Sequence, residues 1–161
     1  MARIFLGLGT NLGDRAQHLK DAVAGLTRRA AVRLVQASDV YETPPWGVLD
    51  QPSFYNQCLE VETDLSPHAL LKRCLELEQD LGRVRTEKWG PRLIDIDLIA
   101  WDGANIATKD LILPHPHATD RPFVLIPLAD IAPAFNLDGR SVRDRVLALP
   151  DARRSEVRPV V

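Results

Sequence analysis

The sequence predicts an α+β fold, a single antiparallel sheet with helices on both faces, and three observations carry that prediction. Four short runs have the β-branched, aromatic or alternating apolar content of strands, and two stretches with apolar residues at helical spacing fall after the first and third of them. No repeat, low-complexity tract or linker interrupts the 161 residues, so residues 1–161 are expected to form one domain with a core of ordinary size. The order βαββαβ is the split, ferredoxin-like pattern, and the apolar segment that follows it is expected to cover the sheet's other face and complete an α/β/α sandwich.

The elements follow in order. "RIFLGL" is a short apolar strand, and "GLGTNLGD" is a tight strand-to-helix turn whose third glycine is misplaced for a dinucleotide fingerprint. Asp14 is set to cap the first helix, with Gln17 three residues on as in a capping box, and Leu19, Ala22, Val23 and Leu26 follow at helical spacing. "VRLVQASDVYET" and "FYNQCLEVET" each read as one strand, with the turn-rich "PPWGVLDQPS" between them. Ser66 caps a second helix that has Pro67 at its first position, an apolar stripe at Leu70, Cys74, Leu77 and Leu81, and Gly82 past its end. "LIDIDLIAW" is the fourth strand, closed by the turn pair Asp102-Gly103, and a short helix is expected from Ser141.

Composition narrows the function. Twenty basic against 22 acidic residues leave a net charge of -2, so no overall positive field draws the chain to nucleic acid or an anionic membrane. The N-terminal apolar run is too short for a signal peptide or a membrane span, which makes a cytoplasmic location the expectation. Cys58 and Cys74 sit in apolar patterns without ligand spacing and read as reduced packing thiols.

The chemistry is concentrated in "RVRTEKWGPRLIDIDLIAW". Along a strand, side chains alternate, so Ile94, Ile96 and Leu98 point one way while Asp95 and Asp97 point the other, roughly 7 Å apart at the backbone. Two carboxylates about 5 Å apart repel by several kcal/mol at an effective dielectric near 20, so a cation is needed. Mg²⁺ suits the pair, because it takes one or two carboxylates and fills its other positions with water and phosphate oxygens. A wet strand face with the aspartates paired to arginines accounts for the pair taken alone. The cluster of Arg83, Arg85, Lys88 and Arg92 just upstream favours phosphate, which guanidinium groups grip through two parallel hydrogen bonds. An acidic metal site beside a basic loop is the combination phosphoryl transfer uses. Phe54 and Asn56 share a strand face and together suit a planar heteroaromatic ring, while His115 stands between prolines as a placed donor.

The motifs "GTNLGD", "YETPPWG", "QPSFYNQ", "GRVR", "KWGPRLIDIDLI", "LPHP", "RPFVLIPL" and "IAP", in that order, closely resemble the 6-hydroxymethyl-7,8-dihydropterin pyrophosphokinase family of the folate pathway, from the first strand to about Pro133. The resemblance implies diphosphate transfer from MgATP to the hydroxymethyl group of the pterin, with release of AMP. It implies that Asp95 and Asp97 hold two Mg²⁺ ions, that Arg83 and Arg92 act on the phosphates, and that Arg85, His115 and Arg121 help to hold the nucleotide, with Leu98 beside it and Lys109 as a substitute phosphate contact where an arginine can occur at 110. The pterin is expected between Phe54 and Phe123, its edge read by Thr43, Pro44, the Trp46 backbone and Asn56. Trp89 is expected to close a lid formed by residues 83 to 91, with Glu78 supporting it. Departures from the family pattern are Phe54 for a tyrosine, Lys88 where an arginine often precedes the tryptophan, and Asp110, beside Lys109, where a phosphate-facing arginine can occur. A monomer is expected, with ATP and the pterin as its partners. A ligand-sensing or RNA-binding module of similar shape is the rival from another class, and a different Mg-dependent transferase the nearer one. Two aspartates on a strand expected to be central, together with the negative charge, argue against the RNA module.

Overall fold

β1 (Ile4–Thr10) organises the sheet, because Ile4, Leu6 and Leu8 supply a row of one core and Phe5 anchors the other. The computed structural model describes residues 2–29, 31–45, 50–82 and 93–160. After β1 come α1 (Arg15–Arg29), β2 (Val32–Ala37), β3 (Tyr41–Thr43), β4 (Phe54–Thr63), α2 (Pro67–Leu81) and β5 (Asp95–Trp101). The order β5-β1-β4, with β2 and β3 both on the outer side of β4, is antiparallel throughout. Each βαβ unit is therefore split: β4 lies between β1 and β2, and β1 lies between β4 and β5. The α+β expectation holds, while the expectation of a central aspartate strand does not, because β5 is at the edge of the sheet.

The run read as one strand, 32–43, is two. β2 pairs with the far end of β4 and β3 with its near end. At the break Ser38 replaces the ladder: its N–H donates to the Cys58 carbonyl at 2.9 Å, and its Oγ accepts from the Cys58 N–H at 2.9 Å. The backbone groups of Cys58 in the buried β4 are thus satisfied while the chain's register with β4 shifts by one residue between Ala37 and Tyr41.

Helix ends follow their caps. Asp14 Oδ1 accepts from Gln17 N–H at 3.1 Å, but the Gln17 side chain reaches forward to Asp21, so only half of the capping box forms. Ser66 Oγ accepts from Ala69 N–H and Pro67 opens α2 as expected. Gly82 follows α2 at φ -96°, outside the left-handed region.

One face of the sheet packs Ile4, Leu6 and Leu8 of β1, Leu59 and Val61 of β4, and Ile96 and Leu98 of β5 against α1 and α2. Each fully buried aliphatic side chain contributes about 1.5–3 kcal/mol. The opposite face is covered, as the sandwich expectation required, by α3 (Pro122–Ile131), which among the described residues lies over one end of it. The remaining elements are β6 (Ile106–Ala107), β7 (Ile112–Leu113), a 3-10 turn (Ala118–Asp120) before α3, then β8 (Asn136–Leu137), β9 (Arg140–Ser141), α4 (Val142–Leu147) capped by Ser141, α5 (Asp151–Arg154) and β10 (Arg158–Pro159). β10 adds to the sheet beyond β3, a pairing too short to leave a sequence signal.

Both cysteines are packing thiols, Cys58 of β4 under α3 and Cys74 on the buried face of α2, and burial pushes the pKa of each up to about 12. No helix among the described residues is long and apolar enough to cross a membrane.

Candidate functional site

The uncovered end of the second face is built from three strands in register. Asn56, Gly9 and Asp95 form one row across β4, β1 and β5, and Cys58, Gly7 and Asp97 form the next. Between the carboxylates and the β4 side chains the floor is the glycine backbone of β1, with the Ile99 side chain beside Gly7. A Cβ on Gly9 would lie 3.3 Å from Asn56 Oδ1, and one on Gly7 3.1 Å from Ile99 Cδ1, so side chains there would press on the residues that shape the site. Over this floor lies a cavity of about 270 Å³ lined by Thr43, Pro44, Phe54, Asn56, Asp95, Asp97, Arg121 and Phe123 among others. Its size lies near the lower end of the roughly 300–1,000 Å³ usual for small-molecule sites.

The alternation read from the sequence is present, with Asp95 half-buried and Asp97 exposed on the cavity side while Ile96 is buried on the helix side. A bulge follows at once: Leu98 pairs with Leu6 but Ala100 with Phe5, and the extra residue lets both Ile99 and Ala100 enter the core under α3. Two adjacent carboxylates beside open space are a donor set for a hard divalent cation. Among the described residues no group of three or more His, Cys, Asp or Glu gathers, so an ion here would complete its coordination with oxygens from water or substrate.

Polar groups around the cavity are oriented by defined bonds. Asn56 is buried, and its Nδ2 donates to Thr43 Oγ1 at 2.7 Å, which leaves Oδ1 as an acceptor and the Thr43 hydroxyl as a donor. Glu78, from α2, accepts the Ile96 N–H at 2.8 Å, so it braces the strand midway between the two aspartates. Arg121 stacks on Phe123, its guanidinium 5.6 Å from the ring centre.

His115 does not line this cavity. It lines a second, more open one of about 360 Å³ with Ile112, Asn105 and Thr119, and its N–H donates to the carbonyl of Ile99 at the bulge, 2.8 Å away. His115 Nδ1 accepts from the His117 N–H at 3.1 Å, so the proton of the neutral ring is on Nε2, which is left as a donor. Burial, then the charges of Arg121 and His117, hold its pKa below the ordinary histidine value.

The described structure thus brings together Thr43, Pro44, Phe54, Asn56, Asp95, Asp97, Arg121 and Phe123. It puts Lys109 exposed on the turn between β6 and β7, and buries the Leu98 side chain in the helix-side core, so that only the backbone of Leu98 is available to a ligand. Trp46, Arg83, Arg85, Trp89 and Arg92 lie outside the described residues. Sequence reading missed the Gly7 and Gly9 floor; its signal is two glycines at strand period, opposite the two aspartates.

Comparisons with known proteins agree on one family. The family model for 7,8-dihydro-6-hydroxymethylpterin-pyrophosphokinase (HPPK) matches residues 5–133. A 2-amino-4-hydroxy-6-hydroxymethyldihydropteridine pyrophosphokinase of Methylorubrum extorquens is 47% identical over 149 residues, covering 92% of this chain and 94% of the relative. One of the same name from Bacillus subtilis is 45% identical over 127 residues, covering 79% of this chain and 76% of its own. Among solved structures, an HPPK-DHPS in complex with substrates superposes with a TM-score of 0.74 at 15% identity, over 91% of this chain. The Plasmodium falciparum wild-type HPPK-DHPS gives 0.69 at 16% identity over 91% of this chain. This chain spans 43% of each of those two solved chains, and at that identity the likeness is one of fold.

Proposed function

Because the chain belongs to the 7,8-dihydro-6-hydroxymethylpterin-pyrophosphokinase family, and so is a pyrophosphokinase of folate biosynthesis, we propose that the cavity over the glycine floor is where the pterin and the reacting phosphates meet. The observation that carries this reading is the shared cavity: two aspartates at one side, an aromatic and amide set at the other, and the glycine backbone of β1 between them.

Phe54 and Phe123 hold the flat pterin ring by stacking, and Asn56 Oδ1 accepts from its N–H edge while the Thr43 hydroxyl donates, beside Pro44 and the Trp46 backbone. Such a pose directs the hydroxymethyl group across Gly9 towards Asp95 and Asp97. Those two carboxylates would hold Mg²⁺, two ions in this reading. When bound, the metal neutralises phosphate charge and favours loss of the hydroxyl proton. Arg121 and the Nε2–H of His115 bind phosphate oxygens of the nucleotide. Arg83, Arg85, Trp89 and Arg92 are assigned to the nucleotide or to transition-state charge through their motifs, and Lys109 to a phosphate in place of the arginine that can occur at 110. The hydroxymethyl oxygen forms a bond to the β-phosphorus, the bond from that phosphorus to the α–β bridging oxygen breaks, AMP leaves and one proton is released. We take the protein to act as a cytoplasmic monomer of one domain.

The test is product analysis after incubation with MgATP and 6-hydroxymethyl-7,8-dihydropterin. Stoichiometric AMP with a diphosphorylated pterin is expected. ADP would mean an ordinary kinase, and ATP consumption that ignores the pterin would remove the pterin from the site.

A further inference from the structure

The β3–β4 hairpin carries Thr43 and Phe54, which are paired in register at the mouth of the cavity. The residue immediately before each of them is held by the same side chain. Arg15, the first residue of α1, donates from Nη1 to the Ser53 carbonyl at 2.7 Å and to Glu42 Oε2 at 3.2 Å, and its guanidinium stacks 4.0 Å from the centre of the Tyr55 ring. One turn earlier, Asn11 Nδ2 donates to Gln51 Oε1 at 2.9 Å and contacts the Pro52 carbonyl at 3.4 Å. A short segment after β1 thus grips both legs of the hairpin.

We infer that Arg15 is a positioning residue for the pterin: by tying Glu42 to Ser53 it sets the spacing of Thr43 and Phe54, and with it the fit of the ring. This inference rests on the cavity being the pterin site. Stability is not the main product of the contact, because an ion pair whose carboxylate partner, Glu42, is exposed to solvent adds little. What the contact supplies is geometry. A planar guanidinium can donate in its plane while its face lies on Tyr55, and lysine has no such plane. The Thr43 hydroxyl, which receives the Asn56 amide, stands one residue from the clasp, so a shift of the β3 leg would also turn the amide that reads the ring edge.

The experiment is steady-state kinetics of Arg15→Ala, Arg15→Lys and Phe54→Ala at saturating MgATP, with thermal unfolding of each. Arg15→Ala is expected to raise the KM for the pterin by about tenfold while kcat and the KM for ATP stay within about twofold, the pattern of a lost binding geometry. Arg15→Lys is expected to fall between Arg15→Ala and the parent, with unfolding midpoints close together. An unchanged pterin KM in Arg15→Ala while Phe54→Ala raises it would overturn the clasp and leave the pocket standing. No change in either would overturn the pocket and the clasp with it. An equal fall in kcat and in affinity for both substrates, with a lowered unfolding midpoint, would overturn positioning in favour of a general role in the fold.

Discussion

Phe5, Gly7 and Gly9 point to the same face of the same strand, yet they end in opposite environments. Phe5 is fully buried under α3 and tilts against Phe135 with ring centres 4.7 Å apart, inside a core that includes Leu125 and Leu128. Two and four residues on, the glycines leave the sheet bare, and the space above them is the cavity. One end of the face spends its side-chain volume on cohesion, while the other withholds it so that a ligand can lie against the backbone. The difference teaches that stability and activity should separate along β1, position by position.

The largest effect is expected at the bare end. Asp95→Ala or Asp97→Ala should each lower turnover by roughly a thousandfold or more, with the unfolding midpoint close to the parent's. Near-normal turnover in either variant at saturating Mg²⁺ would break the assignment. At the packed end, Phe5→Ala should cost about 3–5 kcal/mol of stability, as large-to-small core changes do, while kcat measured well below the unfolding transition stays near the parent value. Denaturant unfolding paired with cold kinetics checks both halves of that statement. Gly9→Ala should reverse the pattern: turnover with pterin falls by about ten- to a hundredfold, the cost of displacing a reacting group by part of an ångström, and stability holds or rises because alanine loses less entropy in a strand than glycine. Equal loss of stability at Gly9 and Phe5 would erase the comparison.

The smallest effect concerns His115. Its folded pKa is depressed, so the neutral ring's contribution to stability is fully present above the ordinary 6.5 and is lost as pH falls through the lower, folded value. An NMR titration should place its midpoint below 6.5, and a midpoint at or above that value would contradict the burial and the Arg121 and His117 charges that depress it.

Much of this was legible before any coordinates. Asp95 and Asp97 announce a strand face by period alone, and Ser66 and Asp14 mark helix starts through local hydrogen bonds. What stayed hidden is non-local. Nothing in "LIDIDLIAW" says which strands flank it, so its place at the sheet edge waited on the pairing with β1. The division of residues 32–43 was masked because Ser38 sustains hydrogen bonding to β4 where β2 stops. The pocket members were nameable through motif likeness. The glycine floor and the Arg15 clasp depend on register between strands distant in sequence, which composition and period do not encode.

The two thiols carry a practical consequence. Cys58 and Cys74 are the only cysteines in the chain, both are buried, and both are pushed up to about 12, so at neutral pH neither offers a thiolate to a reagent. The folded protein is therefore expected to react only slowly with maleimide and iodoacetamide, which a thiol titration of the native state checks. A cysteine introduced on α4 at Leu147, which is 64% exposed, becomes a single-address attachment point for a fluorophore or spin label, with the native sequence otherwise intact.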